Sequence, residues 1–252
     1  MAERIPILNI EVDNITKSDL LKEFKSGVLI TPNVDHLMKL QKDKEFYNIY
    51  QKAEYVTVDS KIVSLSMKYL GNPVKEVITG SDFFPSFYNY HKDNPEIKIF
   101  LFGAMPGVAK KAMGIINKKI GREIIVGEYS PSFGFEKNEE ECKQIVEMLN
   151  QSPANVLVVG VGAPKQEKWI YKYKDQLKNI KIHLAIGATI DFEAGNIKRA
   201  PKIFQKFALE WLYRLMKEPN RLWKRYIVED LPFFKLIYKQ KINKYKNPFE
   251  SN

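Results

Sequence analysis

Asp59 stands directly behind the β-branched run Val56-Thr57-Val58. A carboxylate at the mouth of a buried strand loses part of its hydration. That raises its pKa toward the range in which it can take a proton from a hydroxyl. A second polar group follows N-V-L-V-V, in Gly160-Val161-Gly162-Ala163-Pro164-Lys165-Gln166-Glu167. Gly160 and Gly162 permit a tight turn, and Pro164 suits the start of a helix whose free amides favour an anion. Lys165 adds positive charge, and Gln166 can hydrogen-bond a sugar or a base. Plainer readings compete with each of these. Asp59 can be an N-cap ahead of the apolar-periodic I-V-S-L-S-M, and Lys165 to Glu167 can be a solvated first turn. Asp191 in T-I-D-F reads equally as a ligand contact or a turn aspartate, and Asp82 leans toward capping.

Other chemistries lack their residues. His36, His91 and His183 have no ligand spacing with one another, and Cys142 is the single cysteine, so neither a zinc site nor an internal disulfide is expected. No D-x-D pair, Walker loop or G-x-S-x-G elbow is present. The glycines after Val159 fit a dinucleotide fingerprint poorly. Lys165 replaces its third glycine, and no acidic residue ends a strand about 20 positions on.

The elements that must position these residues alternate regularly. Strands are expected at Pro6–Val12, Val28–Thr31, Tyr55–Val58, Ile97–Phe102, Glu123–Val126, Asn155–Val159 and Lys181–Ile186, with amphipathic helical segments between most of them. Runs such as I-F-L-F are apolar on both faces, as in a covered parallel sheet. The expected fold is α/β, a Rossmann-like, mostly parallel sheet with helices on both faces. Ligands then bind beyond the carboxyl ends of the strands. Thr31, Asn33, Asp59, Gly103, Gly160, Gly162 and Asp191 all fall at those ends.

Strands stop near Gly195, which divides the chain into an α/β domain, 1–195, and a helical appendage, 196–252. In the appendage Phe204, Phe207, Ala208, Trp211, Leu212 and Leu215 share one helical stripe, and Pro219 interrupts the helix. The net charge of +10 is concentrated there: residues 1–195 carry 26 basic and 25 acidic side chains, residues 196–246 carry 14 and 4. Such a surplus suits a polyanionic partner, whether ligand phosphates, nucleic acid or anionic lipid, and the plainer reading is a basic, solvated helix face with no partner. The lone cysteine makes a reduced, cytoplasmic protein the expectation, and no signal peptide or membrane-spanning stretch is apparent.

The stretch G-V-G-A-P-K-Q-E-K-W-I resembles the hallmark of the WecG/TagA/CpsF glycosyltransferases. T-P-N-V-D-H, V-D-S, I-T-G-S-D-F, F-L-F-G-A-M-P-G-V-A, A-I-G-A-T-I-D-F-E-A-G and K-R-A-P-K-I-F-Q-K-F-A-L-E-W-L-Y-R-L are similar to further family segments, in family order from about residue 5 to 240. The resemblance implies an inverting transferase that needs no metal or cofactor. It would move N-acetylmannosamine, its uronic acid or glucuronic acid from a UDP-sugar to an undecaprenyl-diphosphate-linked sugar, in surface polysaccharide or teichoic acid synthesis. The family's base maps onto Asp59, its pocket threonine and asparagine onto Thr31 and Asn33, and its glutamine onto Gln166. Its site-closing arginines map onto Arg214 and Arg221, and a third onto Lys224 or Arg225. The appendage would place the enzyme peripherally on the inner face of the cell membrane, against anionic lipid. Ser60 departs from the glycine common after the base. Oligomeric state stays open, with a homo-oligomer among the arrangements allowed.

Two rivals belong to other classes. A nucleic-acid-binding protein would use the basic appendage, although its aromatics fall on the stripe expected to be buried, and the resemblance implies no nucleic acid. A nicotinamide oxidoreductase would use Gly160 and Gly162.

Overall fold

The computed structural model describes residues 2–197, 200, 201, 204 and 209–250, without the side chain of Arg221. Phe207, Ala208 and the Arg221 side chain, all expected to matter, lie outside the described residues.

Arg4–Ile7 (β1) and Ile10–Asp13 (β2) pair antiparallel in a small sheet of their own. One strand over Pro6–Val12 was expected there. The chain instead turns at Leu8, whose φ is 51°, and the Leu8 N–H donates to Gln240 Oε1 at 2.8 Å. The apolar run hides the turn because Leu8, rather than glycine, takes the left-handed conformation.

The main sheet contains Gly27–Ile30 (β3), Tyr55–Val56 (β4), Ile99–Gly103 (β5), Ile125–Tyr129 (β6), Val156–Gly160 (β7) and Ile182–Ala185 (β8). These strands are all parallel, in the order β4-β3-β8-β7-β5-β6. The connecting helices are Lys17–Glu23 (α1), Val34–Lys39 (α2), Lys44–Lys52 (α3), Lys61–Leu70 (α4), Gly80–Tyr90 (α5), Val108–Ile120 (α6), Glu139–Gln151 (α7), Lys165–Tyr173 (α8) and Thr189–Glu193 (α9).

Strand alternation divides the core into two layers, because neighbouring side chains point to opposite faces. Val28, Ile30, Phe100, Phe102, Leu157 and Val159 face Leu37, Phe46, Val63, Ile145 and Trp169, from α2, α3, α4, α7 and α8. Leu29, Ile99, Leu101, Val156 and Val158 face Leu20, Phe83, Ala109 and Ile190, from α1, α5, α6 and α9. The expected covered sheet is therefore observed, with helices on both faces. Full burial of each such side chain contributes roughly 1.5–3 kcal/mol.

Beyond residue 195 the helices are Glu210–Lys217 (α10), Pro219–Trp223 (α11) and Pro232–Lys241 (α12), with a π-helical turn at Lys224–Glu229. Pro219 begins a new helix, as its missing N–H dictates. The segment is not merely appended. Phe233 and Ile237 of α12 are buried in the same cluster as Leu37 and Val63. Trp211, Leu212 and Leu215 of the expected stripe are only half-buried. Trp223, Ile227, Val228, Leu231, Phe234 and Tyr238 are each about half exposed.

Candidate active site

A cavity of about 340 Å³ opens beyond the carboxyl ends of β3, β4, β7 and β8, roofed by α10 and the segment that follows it. Thr31, Asn33, Asp59, Gly162, Gln166, Arg214 and Arg225 line it together. These seven were singled out from sequence, and they fall into four groups along the chain, each at least 26 residues from the next. Parallel strands ending at one edge bring them together.

Asp59 follows β4, and its N–H donates to Pro32 O at 3.0 Å. Its Oδ2 accepts the Thr31 hydroxyl at 3.4 Å and the Gly80 N–H at 3.3 Å. Gly80 is the first residue of α5, so the positive end of that helix faces the carboxylate. Burial nevertheless raises the pKa of Asp59 to about 6, with the Gly80 N–H, the Arg214 charge and the Thr31 hydroxyl opposing it. The group is thus ionised at neutral pH but basic enough to accept a proton.

Capping does not occupy this carboxylate. Ser60 is the N-cap of α4, and its hydroxyl accepts the Val63 N–H at 3.2 Å. Ser60 has φ 170°, an extended backbone that needs no glycine, so the departure from the family pattern leaves the turn unstrained. Likewise Thr79 caps α5, accepting the Asp82 N–H at 3.1 Å. Gly80 itself is required by packing, since a Cβ there would stand 2.7 Å from Ile186 Cβ. Thr79, Gly80 and Ile186 escaped the sequence reading as site residues. The signal available was the T-x-x-D spacing of a capping box.

Asn33 caps α2 by accepting the His36 N–H at 3.1 Å, which leaves its amide nitrogen for a ligand. His36 is buried and neutral, its pKa lowered to about 3 by desolvation, and its Nδ1 shares a hydrogen with the Tyr50 hydroxyl at 2.8 Å. Arg214 of α10 lies 5.6 Å over the Phe192 ring. Arg225 is held 3.2 Å from Asp35 Oδ2, and Lys39 reaches the same oxygen at 2.8 Å. Arg221 sits on α11, with its side chain outside the described residues.

Four expected ligand residues do not line the cavity. Gly103 and Gly160 serve strand packing: a Cβ on Gly103 would meet the Gly160 carbonyl carbon at 2.6 Å, and one on Gly160 the Gly187 oxygen at 2.7 Å. The Lys165 ammonium lies 5.6 Å over the Phe133 ring instead. Thr189 and Phe192, three apart on α9, share the cavity face, so Asp191 is turned roughly 100° away from Phe192. The expected anion cradle at α8 is also partly spent, because the Gln166 N–H already donates to Gly162 O at 3.1 Å. Among the described residues, no three His, Cys, Asp or Glu side chains converge as metal ligands.

A strand-edge cavity that brings a raised-pKa carboxylate opposite arginines is an arrangement suited to a group-transfer enzyme for an anionic substrate. The model of the glycosyl transferase WecG/TagA/CpsF family matches residues 5–247, and the chain belongs to that family: it is a glycosyltransferase. It is 27% identical over 205 residues, 81% of this chain and 76% of the relative, to a Bacillus spizizenii protein named N-acetylglucosaminyldiphosphoundecaprenol N-acetyl-beta-D-mannosaminyltransferase.

Proposed function

We propose that the protein transfers N-acetylmannosamine, or a closely related hexose derivative, from a UDP-sugar to a polyprenyl-diphosphate-linked sugar, with inversion. The relative's name supports both donor sugar and acceptor. The observation that carries the reading is Asp59, held by Thr31 and Gly80 across the cavity from Arg214. The acceptor hydroxyl attacks the anomeric carbon from the face opposite UDP, and Asp59 takes its proton. As the new C–O bond forms, the bond to UDP breaks and its electron pair leaves with the β-phosphate. Arg214 and Arg225 are the cations placed to meet that charge, with Asn33 and Gln166 on the sugar or base. A thermal-shift panel of UDP-sugars tests the donor, and mass spectrometry of product on a short-chain lipid-linked acceptor tests the transfer. Stabilisation by NAD(H) but by no UDP-sugar would overturn the reading.

Activity is expected to survive excess EDTA, because cationic side chains neutralise the leaving diphosphate. Loss of turnover in EDTA that Mg²⁺ or Mn²⁺ restores would refute this.

The half-exposed Ile227, Val228, Leu231 and Phe234 are flanked along the chain by Lys224 on one side and Lys235 and Lys239 on the other, a composition suited to an anionic lipid surface. No helix among the described residues is long and apolar enough to cross a membrane. The protein should therefore co-sediment with vesicles containing phosphatidylglycerol at low salt and be released at high salt. Absence of binding at both would leave this surface to another role.

A further inference from the structure

Glu167 has no solvent exposure, although it stands in the first turn of α8, where a carboxylate ordinarily faces water. Its Oε1 accepts the Gln166 side-chain N–H at 2.8 Å, and its Oε2 has no hydrogen-bond partner among the described residues. Gln166 is equally enclosed, at 1% exposure. The Gln166 Oε1 accepts the Gly162 N–H at 3.3 Å and the Gly187 N–H at 3.2 Å. One amide oxygen therefore ties together the loops that follow β7 and β8, both of which line the cavity.

An amide can turn over by 180° with almost no change of shape, exchanging its donor and acceptor ends. Turned over, Gln166 would point its NH₂ at two backbone N–H groups. Glu167 accepts from the nitrogen end and so opposes that flip. One amide hydrogen is left, on a residue that borders the cavity.

We propose that Glu167 is a positioning residue for nucleotide-sugar binding: it fixes the orientation of the Gln166 amide, which in turn holds the Gly162 and Gly187 loops at the spacing the ligand requires. The proposal rests on the glycosyltransferase reading for its ligand, but the contact itself does not. Burial pushes the Glu167 carboxyl up to about 7, opposed by the Gln166 amide, its own backbone N–H and Lys39, while Asp35 adds to it. Tyr50 of α3, whose hydroxyl meets His36, also feels the charge. A carboxyl kept in such surroundings, with one oxygen unpartnered among the described residues, costs stability, which packing alone does not call for.

Glu167→Met keeps the volume and removes the acceptor. Its melting temperature should equal or exceed that of the wild type, while UDP binding weakens by roughly 5- to 100-fold. Gln166→Met should lose at least that factor, since it also touches the ligand, and the double variant no more than Gln166→Met alone. Glu167→Gln, which keeps an oxygen within reach of the Gln166 nitrogen, should recover most of the loss. A substrate-free readout accompanies these. In ¹H–¹⁵N spectra the Gln166 side-chain pair, identified by its loss in Gln166→Met, should lie away from free glutamine amides and move in Glu167→Gln. Additive losses in the double variant, or a Gln166 pair at the free-amide position, would overturn the proposal. If Glu167→Met does not fold, the amide spectra of wild type and Glu167→Gln decide alone. Failure of the wild type to bind UDP would count against the transferase reading and leave the amide result standing.

Discussion

Replacing Asp59 by asparagine is expected to lower turnover by roughly 10²- to 10⁴-fold while leaving UDP affinity nearly unchanged. Asparagine keeps an oxygen for Thr31 and Gly80 but cannot take the acceptor's proton. The wild-type rate should fall tenfold per pH unit below about pH 6, where Asp59 becomes protonated. The same shift has a stability consequence of definite sign. The folded-state pKa of about 6 lies above the ordinary 3.8, so the folded protein holds this proton more tightly than the unfolded chain. Ionising Asp59 therefore costs stability as pH rises through that interval. The asparagine variant escapes the cost and should be more stable than wild type at pH 8, by roughly 1–3 kcal/mol. The gap should close toward pH 4. Near-normal turnover in a folded asparagine variant would remove Asp59 from the reaction.

Phe233→Ala is expected to cost about 3–5 kcal/mol in urea denaturation, the range for emptying a buried phenylalanine site. Phe233 has no solvent exposure and belongs to the cluster that contains Leu37, Val63 and Met67. A boundary near Gly195 suggested that residues 1–195 would fold alone. The packing of α12 instead predicts that removing residues 196–252 uncovers α2 and α4 and leaves a markedly less stable protein. A loss below 1 kcal/mol for Phe233→Ala would restore the separable appendage.

The sheet was legible because its strands are apolar on both faces, a pattern that short exposed strands do not show. Asp59 was legible for a related reason: a lone carboxylate behind V-T-V must sit where the strand ends. The first hairpin was not, since nothing in I-P-I-L-N-I-E-V announces a turn at Leu8. Glu167 was hidden differently. A charged residue in a helix's first turn nearly always faces water, and only the tertiary contact with the Gln166 amide makes its burial intelligible. Gly103 and Gly160 looked like ligand-cradling glycines, but their missing side chains are used by neighbouring backbone. Local sequence cannot distinguish those two uses. Phe233 was likewise readable as apolar and periodic, while the face it covers was set by α2 and α4, some 170 to 200 residues earlier.

The hydrogen bond from the Leu8 N–H to Gln240 Oε1 joins residues 232 positions apart. At roughly 5–20 residues per second of synthesis, the turn between β1 and β2 waits on the order of ten to fifty seconds for its partner. During that interval the hairpin and the α2–α4 surface exist without α12, and α10, which carries Arg214, is only just being made. The base-bearing strands β3 and β4 are synthesised early, β8 joins them to the rest of the sheet, and the cationic side of the cavity arrives with the last fifth of the chain. A ribosome-bound nascent chain would pass through a stage that possesses Asp59 but not the roof that faces it.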